Sequence, residues 1–516
     1  MTRAPWSILA LPLVLALGCE RVSYEVEIET YSSALHPIQI TRFRMDLPGP
    51  PGGGIQLLGT GFLAATGGGD LYWFERTAPE ELEIVKLPHR IPMEREAFRS
   101  WAANHEEEMR SHFSDTFRVN DLLVQEKGDR VTVFASATYW REAETCYGLR
   151  VSTVTLPPEA LLDEAYTLDW GVLFETDPCL PIKKTGHGFA GQQAGGEMIF
   201  APDGKRILLS IGDFEFDGLN DPRNVSQDLN SPYGKLLWLD PQTGDTELVA
   251  WGVRNAQGLA FDELGRIWET EHGPQGGDEL NQIVAGENYG WPYVTYGTQY
   301  GRFDWPLAQK QSEHKGFAAP IFSWVPSVGT SDLLMIQGRG FAEWSGDLLL
   351  AALKPGDLLR IRIRQERVAY IETIPVDTRA RDMVEDQNGA IVLWTDNPDL
   401  RFLEVAGQAG GVTLSPIARG NLLYAECRGC HPIESGAPAG IAPNLVGIVG
   451  RKIASEPGYA YSASLRAKKG HWGKNRLNQY LQNPQAFASG TSMNYPGLKS
   501  ASDRESLIAY LEAQTP

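Results

Sequence analysis

The chain has 516 residues, more than one compact core accommodates and about the size of two or three structural units. Its 42% hydrophobic and 22% charged residues are ordinary for a globular protein, and no segment after residue 19 is long and apolar enough to span a membrane. Residues 411–516 hold 11 Lys and Arg against 6 Asp and Glu, which gives this region a net charge of +5. Because the whole chain carries −19, residues 1–410 carry −24. So acidic a region excludes nucleic acid as the expected partner.

Residues 1–19 have the pattern of a targeting segment. Arg3 gives a positive start, residues 8–17 form a short apolar run, and Gly18 and Cys19 follow. A small residue before Cys is typical of a bacterial lipoprotein signal, which predicts lipidation of Cys19 and membrane contact through that anchor. An ordinary secretory signal is the alternative. Both interpretations predict export to the periplasm.

Residues 20–405 have an all-β pattern with a visible repeat. Segments 200–213, 261–273 and 384–396 each pass from a turn to a short apolar strand and then to polar residues. Their starts lie 61 and 123 residues apart, and the second gap is about twice the first. A unit near 60 residues over this length predicts a six-bladed β-propeller. A pair of sandwiches is the alternative, but it would not explain one recurring spacing.

Five cysteines are present, and two of them, Cys146 and Cys179, fall inside the predicted propeller. An exported protein meets an oxidising compartment, so we expect these two to form a disulfide. Two buried thiols are the alternative.

Residues 406–411 form a linker of mostly small residues, after which residues 412–516 have a helical pattern. Within this region, Cys427, Cys430 and His431 form the C-x-x-C-H motif of c-type haem attachment. The two thiols bond to the haem vinyl groups, and the His becomes the proximal iron ligand. The alternatives are a zinc half-site, which would need a second ligand pair that the chain lacks, and a redox dithiol, which would need a surrounding α/β pattern. The fold class is therefore multidomain: a propeller followed by a small all-α haem domain.

Residues 419–514 resemble class I, mitochondrial-type cytochrome c. The matching stretches are CRGCH (427–431), PNLVGIVGRK (443–452), GYAYS (458–462), YLQNP (480–484), GTSM (490–493) and DRESLIAYL (503–511). The resemblance implies one covalent haem c with His431 and Met493 as its axial ligands. It also implies that the Pro443 carbonyl orients His431. Arg451, Tyr461 and Trp472 would hold a buried haem propionate.

Residues 185–400 resemble the glucose/sorbosone dehydrogenase family, six-bladed propellers that use pyrroloquinoline quinone and calcium. The strongest matches are SQDLNSPYGKLL (226–237), GVRNAQGLAFD (252–262), ETEHGPQGGDELN (269–281), ENYGWP (287–292) and SGDLLLAALKPG (345–356). The resemblance implies that the carbonyls of Gly273 and Pro274 bind calcium. The residues that it implies for binding the quinone are Arg254, Asn255, Ser327, Lys354, Arg379 and Arg381.

The chain departs from this family at the position of the catalytic base. Asp213 matches the acidic partner of the base, but the position of the family's catalytic His holds Gln193. An amide nitrogen is not basic, so Gln193 cannot accept the substrate proton. His187 lies six residues earlier and reaches the site only if its loop bulges; a surface His without a role is the alternative.

These patterns predict an exported quinohaem dehydrogenase that oxidises an aldose or alcohol in the propeller. Electrons would pass through the haem to a respiratory acceptor such as another cytochrome or an oxidase. The alternative is an electron-transfer cytochrome carried on a propeller that binds or docks sugars without catalysis, because the base is missing.

Overall fold

The computed structural model describes residues 22–45, 47–105, 109, 117–182, 191–302, 304–308, 313–397, 399–406, 417, 420, 423–424, 427, 430–433, 442–493, 495, 497–498 and 501–514. The chain divides into two compact units, one of residues 1–336 with 346–410 and one of residues 337–345 with 411–516. The predicted signal segment, with Cys19, and most of the predicted linker lie outside the described residues.

The first unit is a propeller of six antiparallel sheets. The first strands, β1 (Tyr24–Ser32) and β2 (Pro37–Met45), belong to the sheet that closes the ring. The second sheet is β3 (Gly53–Leu58), β4 (Gly61–Thr66), β5 (Asp70–Ala78) and β6 (Glu81–Arg90). Helix α1 (Arg95–Ala103) leads to the third sheet, β7 (Val119–Lys127), β8 (Arg130–Arg141), β9 (Cys146–Leu156), β10 (Gly171–Glu175) and the short β11 (Leu180–Pro181).

Three further sheets follow in chain order. The fourth is β12 (Gly195–Phe200), β13 (Ile207–Ile211), β14 (Lys235–Leu239) and β15 (Thr246–Trp251). The fifth is β16 (Ala256–Phe261), β17 (Ile267–Glu271), β18 (Asp278–Ile283) and β19 (Phe322–Trp324). The sixth is β20 (Thr330–Met335), β21 (Leu348–Ala352), β22 (Asp357–Arg364) and β23 (Arg367–Pro375). Strands β24 (Ala380–Glu385), β25 (Ile391–Thr395) and β26 (Asp399–Val405) then pair with β2 and close the ring.

The predicted repeat is confirmed, and the structure explains its spacing. The three repeated strands are β13, β17 and β25, each the second strand of its sheet. The fourth and fifth sheets are neighbours, whereas the sixth sheet lies between β17 and β25 in the chain, which doubles the second gap. Apolar residues fill the space between sheets: Trp268 and Leu280 of the fifth pack with Leu348 and Leu350 of the sixth. Each blade thus buries a face that only its neighbour can cover.

The innermost strands carry buried acidic residues at corresponding positions. Strands β7, β20 and β24 each have a register shift that ends at an Asp, and β12 has one that spans a Glu. The four residues are Asp121, Glu197, Asp332 and Asp382. Burial raises the pKa of all four, that of Asp382 to about 7, and the Asp382 charge further raises the pKa of the other three. Two of them also link blades, because Asp121 accepts from the Met198 N–H (2.8 Å) and Asp382 from the Ile55 N–H (2.6 Å).

The predicted disulfide between Cys146 and Cys179 is present. It ties the start of β9 to the segment just before β11, and β11 pairs with the same end of β9. The covalent bond and the short strand therefore hold one corner of the third sheet together.

The described part of the second unit contains α2 (Ala463–Ala467), α3 (Lys474–Gln482), α4 (Pro484–Phe487) and α5 (Ala501–Ala513). Its core gathers Trp472, Leu477 and Leu481 with Leu507 and Ile508 of the last helix. This agrees with the small all-α domain expected from the helical pattern. Among the described residues of the whole chain, none of the helices is long and apolar enough to cross a membrane.

Candidate functional site

A cavity of about 640 Å³ opens in the propeller unit and gathers residues from several blades. Its cations are Arg118, Arg254, Arg379 and Arg381, and Glu215 is the one carboxylate among the described residues that line it. The remaining polar lining includes Asn120, Gln192, Gln193, Asn220, Asn255, Gln257, His272 and Gln299. Four guanidinium groups against one carboxylate give the described lining a net positive charge, which suits an anionic ligand.

Arg254 is held at the centre of the cavity by three different contacts. Its Nη1 donates to the His272 carbonyl (3.0 Å), and its guanidinium lies 5.2 Å from the centre of the Trp291 ring. Its Nη2 lies 2.9 Å from the Gln193 side-chain oxygen in the amide orientation that satisfies both ends of that amide. Its Nε is buried without a partner among the described residues. A fixed guanidinium with an unused donor fits an anionic ligand in this cavity.

Gln193 and Asp213 are directly paired. The Gln193 amide nitrogen donates to Asp213 Oδ1 (2.7 Å), and Trp291 Nε1 donates to Asp213 Oδ2 (2.7 Å). Asp213 is fully buried, and it lies behind the cavity wall that Gln193 forms. Burial raises the pKa of Asp213 to about 7, the nearby Asp217 raises it further, and Arg254 opposes both effects. Asp213 therefore orients Gln193 and does not itself face a ligand.

The other predicted quinone ligands of the cavity are also fixed by neighbours. Asn255 Oδ1 accepts from the Gly195 N–H (3.2 Å). Arg379 Nε donates to Asp396 (2.8 Å), and Arg381 contacts both oxygens of the same carboxylate. Although burial alone would raise the pKa of Asp396, the two arginines lower it below its ordinary value. The charges of Arg379 and Arg381 are thus partly compensated before any ligand binds, which the sequence did not indicate.

The predicted calcium ligands, Gly273 and Pro274, both line the cavity. The Gly273 N–H donates to Asp278 Oδ1 (3.0 Å), which fixes this part of the loop. Within the described residues, neither carbonyl oxygen accepts a hydrogen bond. Carbonyl oxygens that accept no hydrogen bond are suitable ligand atoms for calcium, so the residues present fit the ion.

Two predicted quinone ligands lie elsewhere. Lys354 and Ser327 line a second, open groove of about 580 Å³, together with Trp324, Val325 and Pro355. The Ser327 hydroxyl donates to Asp278 Oδ1 (2.9 Å). The structure therefore does not bring Lys354 and Ser327 into the cavity that holds Arg254. The other candidate base, His187, lies outside the described residues.

Sequence reasoning missed several residues that line the cavity. Arg118 and Asn120 come from the third sheet, Gln257 from the fifth, and Glu215 from the turn after β13. No motif marks Arg118, because its blade matches the family loosely in sequence. Glu215 could have been noticed, since it lies two residues after the predicted acidic residue Asp213.

In the second unit, the described residues of the haem-attachment motif lie in one turn of the chain. Within the described residues, Cys427 and Cys430 form no disulfide, and the backbone N–H groups of Cys430 and His431 both donate to the Cys427 carbonyl. His431 Nδ1 lies 2.7 Å from the Pro443 carbonyl oxygen, the hydrogen bond that the resemblance implied. With Nδ1 donating there, Nε2 is the nitrogen left for iron, so the residues present fit the group.

The other predicted haem contacts lie close to one core. Arg451 forms an ion pair with Glu456, and the Glu456 N–H lies 3.4 Å from the Tyr461 hydroxyl. The Trp472 N–H donates to the Arg451 carbonyl (2.8 Å), so the three predicted propionate residues lie in neighbouring segments. Met493 is half-buried and packs against the same apolar core. These placements leave the ligand roles of the four residues as predictions.

Comparisons with known proteins divide the chain in the same way. A model of the Glucose / Sorbosone dehydrogenase family matches residues 126–404. Aldose sugar dehydrogenase YliI from Escherichia coli is 31% identical over 244 residues, which cover 44% of this chain and 62% of that protein. The chain therefore spans less than two thirds of this relative. A solved glucose dehydrogenase superposes with a TM-score of 0.54 at 25% identity, over 69% of this chain and 96% of that one.

The C-terminal region has relatives of a different kind. Cytochrome c from Sesamum indicum is 43% identical over 90 residues, which cover 17% of this chain and 81% of that protein. The region therefore belongs to the cytochrome c family, whose covalent haem c the C-x-x-C-H motif at 427–431 also indicates.

Proposed function

The chain belongs to the glucose/sorbosone dehydrogenase family, and on that premise we propose that it is a quinohaem dehydrogenase oxidising an aldose or an alcohol. The observation that carries the proposal is the cationic cavity around Arg254, with its unused buried Nε, in a chain that also has a haem-attachment motif. Pyrroloquinoline quinone is a compact polyanion of the kind this cavity suits, and it would supply a two-electron acceptor. The haem would then deliver single electrons to a respiratory acceptor.

Each part of the cavity has a defined task in this proposal. Arg254 and Asn255 would bind the quinone directly, and the carbonyls of Gly273 and Pro274 would hold calcium, which acts as a Lewis acid when bound. Arg379 and Arg381 would add charge from one side while Asp396 keeps both guanidiniums in place. Lys354 and Ser327 face the adjoining groove, and we propose that they contact the quinone only if it extends beyond the cavity.

We further propose that the protein works outside the cytoplasm. The disulfide between Cys146 and Cys179 supports this location, because such bonds persist in oxidising compartments. Residues 1–19 would direct the export, and lipidation of Cys19 would anchor the protein to a bacterial membrane.

The test is haem reduction by substrate. Purified protein with its covalent haem is loaded with calcium and pyrroloquinoline quinone, and a panel of aldoses and alcohols is added anaerobically. We expect at least one substrate to produce the ferrous haem spectrum, only when both calcium and quinone are present. No reduction by the whole panel, despite tight quinone binding, would overturn the proposal.

Arg254→Gln gives a first prediction with its own measurement. Removing a charge-assisted contact of roughly 1.5–3 kcal/mol should weaken quinone binding about ten- to a hundredfold in calorimetry. Arg206→Gln is the matched control, because Arg206 is 46% exposed and pairs with Glu247 far from the cavity lining. Equal affinities in the two variants would remove Arg254 from the binding site.

One observation favours the alternative function, a cytochrome on a non-catalytic propeller. Gln193 occupies the position of the family's base and is bound at both ends of its amide. In that alternative, quinone binds with calcium, but no substrate reduces either the haem or an added dye. Dye reduction without haem reduction would instead indicate a catalytic propeller that fails to pass electrons on.

A further inference from the structure

The cavity needs a proton acceptor if it oxidises a hydroxyl group, and this inference rests on the proposed function. The reaction removes the hydroxyl proton of the substrate as well as the hydrogen on the carbon atom. Gln193 cannot accept the proton, since its amide is not basic and both ends of it are bonded to Asp213 and Arg254. The base must therefore be another group that faces the same cavity.

Asp213 does not meet this requirement. Its Oδ1 accepts from the Glu215 N–H (2.8 Å) and from the Gln193 amide (2.7 Å), and its Oδ2 accepts from Trp291 Nε1 (2.7 Å). It is fully buried and absent from the cavity lining. Its carboxylate positions Gln193 and the turn that follows β13, and it has no path to a substrate hydroxyl.

Glu215 meets the requirement for a proton acceptor that faces the cavity. Among the described residues lining the cavity, it is the only Asp or Glu. The His272 imidazole lines the same cavity, and the His272→Gln variant below tests it as the competing base. We propose that Glu215 is the general base that accepts the hydroxyl proton of the substrate.

The backbone around Glu215 is built to hold it in this place. Phe214 and Glu215 have φ angles of 50° and 64°, a left-handed conformation that is unfavourable for residues other than glycine. Two hydrogen bonds maintain this conformation: the Glu215 N–H donates to Asp213, and the Phe214 N–H donates to the Gln193 carbonyl (3.1 Å). The Phe214 ring also makes edge contacts with the rings of Tyr147 and Tyr233. The carboxylate that orients Gln193 thus also fixes the turn carrying Glu215, so the two residues face one cavity in a defined relation.

The step balances with the oxidant that the proposed function names. The substrate O–H bond breaks, and its proton passes to the Glu215 carboxylate. The pyrroloquinoline quinone of the proposed function would be the two-electron acceptor for the hydrogen on the carbon, and a carbon–oxygen double bond forms in the substrate. The substrate loses two electrons and two hydrogens in total, and the Glu215 proton then leaves to solvent through the open cavity.

The test compares Glu215→Gln with the wild type, both loaded with calcium and pyrroloquinoline quinone. We expect substrate-driven reduction to fall about 10²- to 10⁴-fold, the usual contribution of a general base. Quinone affinity measured by calorimetry should stay within about threefold of the wild type, which also shows that the variant is folded. Glu247→Gln, at an exposed position that lines no part of the cavity, is the control and should react like the wild type.

A spectroscopic readout separates proton transfer from a merely structural role. In the infrared difference spectrum between substrate-reduced and oxidised protein, the wild type should show a new protonated-carboxyl band that Glu215→Gln lacks. Glu215→Asp should retain part of the rate, because a carboxylate remains.

The outcomes distinguish this inference from the proposed function. A wild type that no substrate reduces overturns both. A wild type that turns over while Glu215→Gln keeps its rate overturns the inference alone, and loss of activity in His187→Ala or His272→Gln would then locate the base.

Discussion

Single side chains at the cavity each serve more than one neighbour. The Gln193 amide nitrogen donates to Asp213 and its oxygen accepts from Arg254, so one neutral amide holds an acidic and a cationic side chain in place. Asp396 does the same for Arg379 and Arg381 with one carboxylate. In the second unit, Pro443 determines which nitrogen of His431 can bind iron, because its carbonyl occupies the Nδ1 side.

Met493 provides the prediction at this scale. We expect Met493→Ala to remove the weak far-red absorption band of ferric haem ligated by sulfur, and to lower the reduction potential, because His–Met ligation favours ferrous iron. Visible spectroscopy and a redox titration measure the two effects. Met198→Ala, in the propeller core, is the control and should leave both unchanged. A wild type without that band would mean that Met493 is not the axial ligand.

The inner strands of four blades carry buried carboxyl groups that change protonation with pH, and two of these groups also link neighbouring blades. Asp121, Glu197, Asp332 and Asp382 occupy related positions next to the register shifts of their strands. The other two inner strands, β3 and β16, have Gly54 and Gly258 at the corresponding positions. A Cβ on Gly54 would lie 2.7 Å from Asp382 Oδ2, and a Cβ on Gly258 would lie 2.7 Å from the backbone nitrogen of Leu333. Four carboxyl groups and two glycines therefore share the six inner strands, because the remaining space does not admit six side chains.

These carboxyl groups make the stability of the propeller depend on pH. Their folded-state pKa values are raised, that of Asp382 to about 7, so their protonated forms are favoured in the folded protein. The stability they contribute is complete below their unfolded pKa near 4 and is lost as the pH rises towards their raised folded-state pKa values, about 7 for Asp382. We expect the free energy of unfolding to decrease from pH 5 to pH 8 in both proteins, but less in Glu197→Gln than in the wild type. The two decreases should differ by on the order of 1 kcal/mol.

Urea unfolding followed by tryptophan fluorescence at the two pH values measures this difference. Glu247→Gln is the control, because Glu247 is 74% exposed and should leave the slope unchanged. If Glu197→Gln and the wild type lose equal stability between the two pH values, the pKa of Glu197 is not raised in the folded protein.

The whole molecule combines two units of opposite formal charge. Residues 411–516 carry +5 and the remainder −24, and neither the propionates of a bound haem nor loss of residues 1–19 would reverse either sign. Opposite net charges raise the rate of encounter between two bodies, and salt screens exposed charges over about 8 Å at physiological ionic strength. For the proposed function, this charge distribution predicts faster electron transfer between the units at low salt.

Ionic strength tests this feature directly. We expect substrate-driven haem reduction to slow as salt concentration rises, because the attraction between the units is screened. Reduction of a neutral dye by the same protein should change little, since the dye takes electrons without that attraction. Haem reduction that ignores ionic strength would show that the charge difference has no part in the transfer.

Much of the fold and part of the site follow from local sequence alone. The spacing of segments 200–213, 261–273 and 384–396 predicts the blades, because every blade repeats one arrangement of turn and strand. The C-x-x-C-H motif needs only five neighbouring residues, and the pairing of Cys146 with Cys179 follows from compartment and count. Arg254 and Gln193 were found through motifs of the same short range.

Only the tertiary structure decided which distant residues meet. It placed Lys354 and Ser327 in a separate groove, paired Arg379 and Arg381 with Asp396, and turned Glu215 into the cavity with Gln193. The four inner carboxyl groups were likewise invisible in the sequence, since they lie on four different blades. The physical reason is that these contacts join residues of different strands, several of them in different blades, and local spacing carries no information on how those strands pack in the ring.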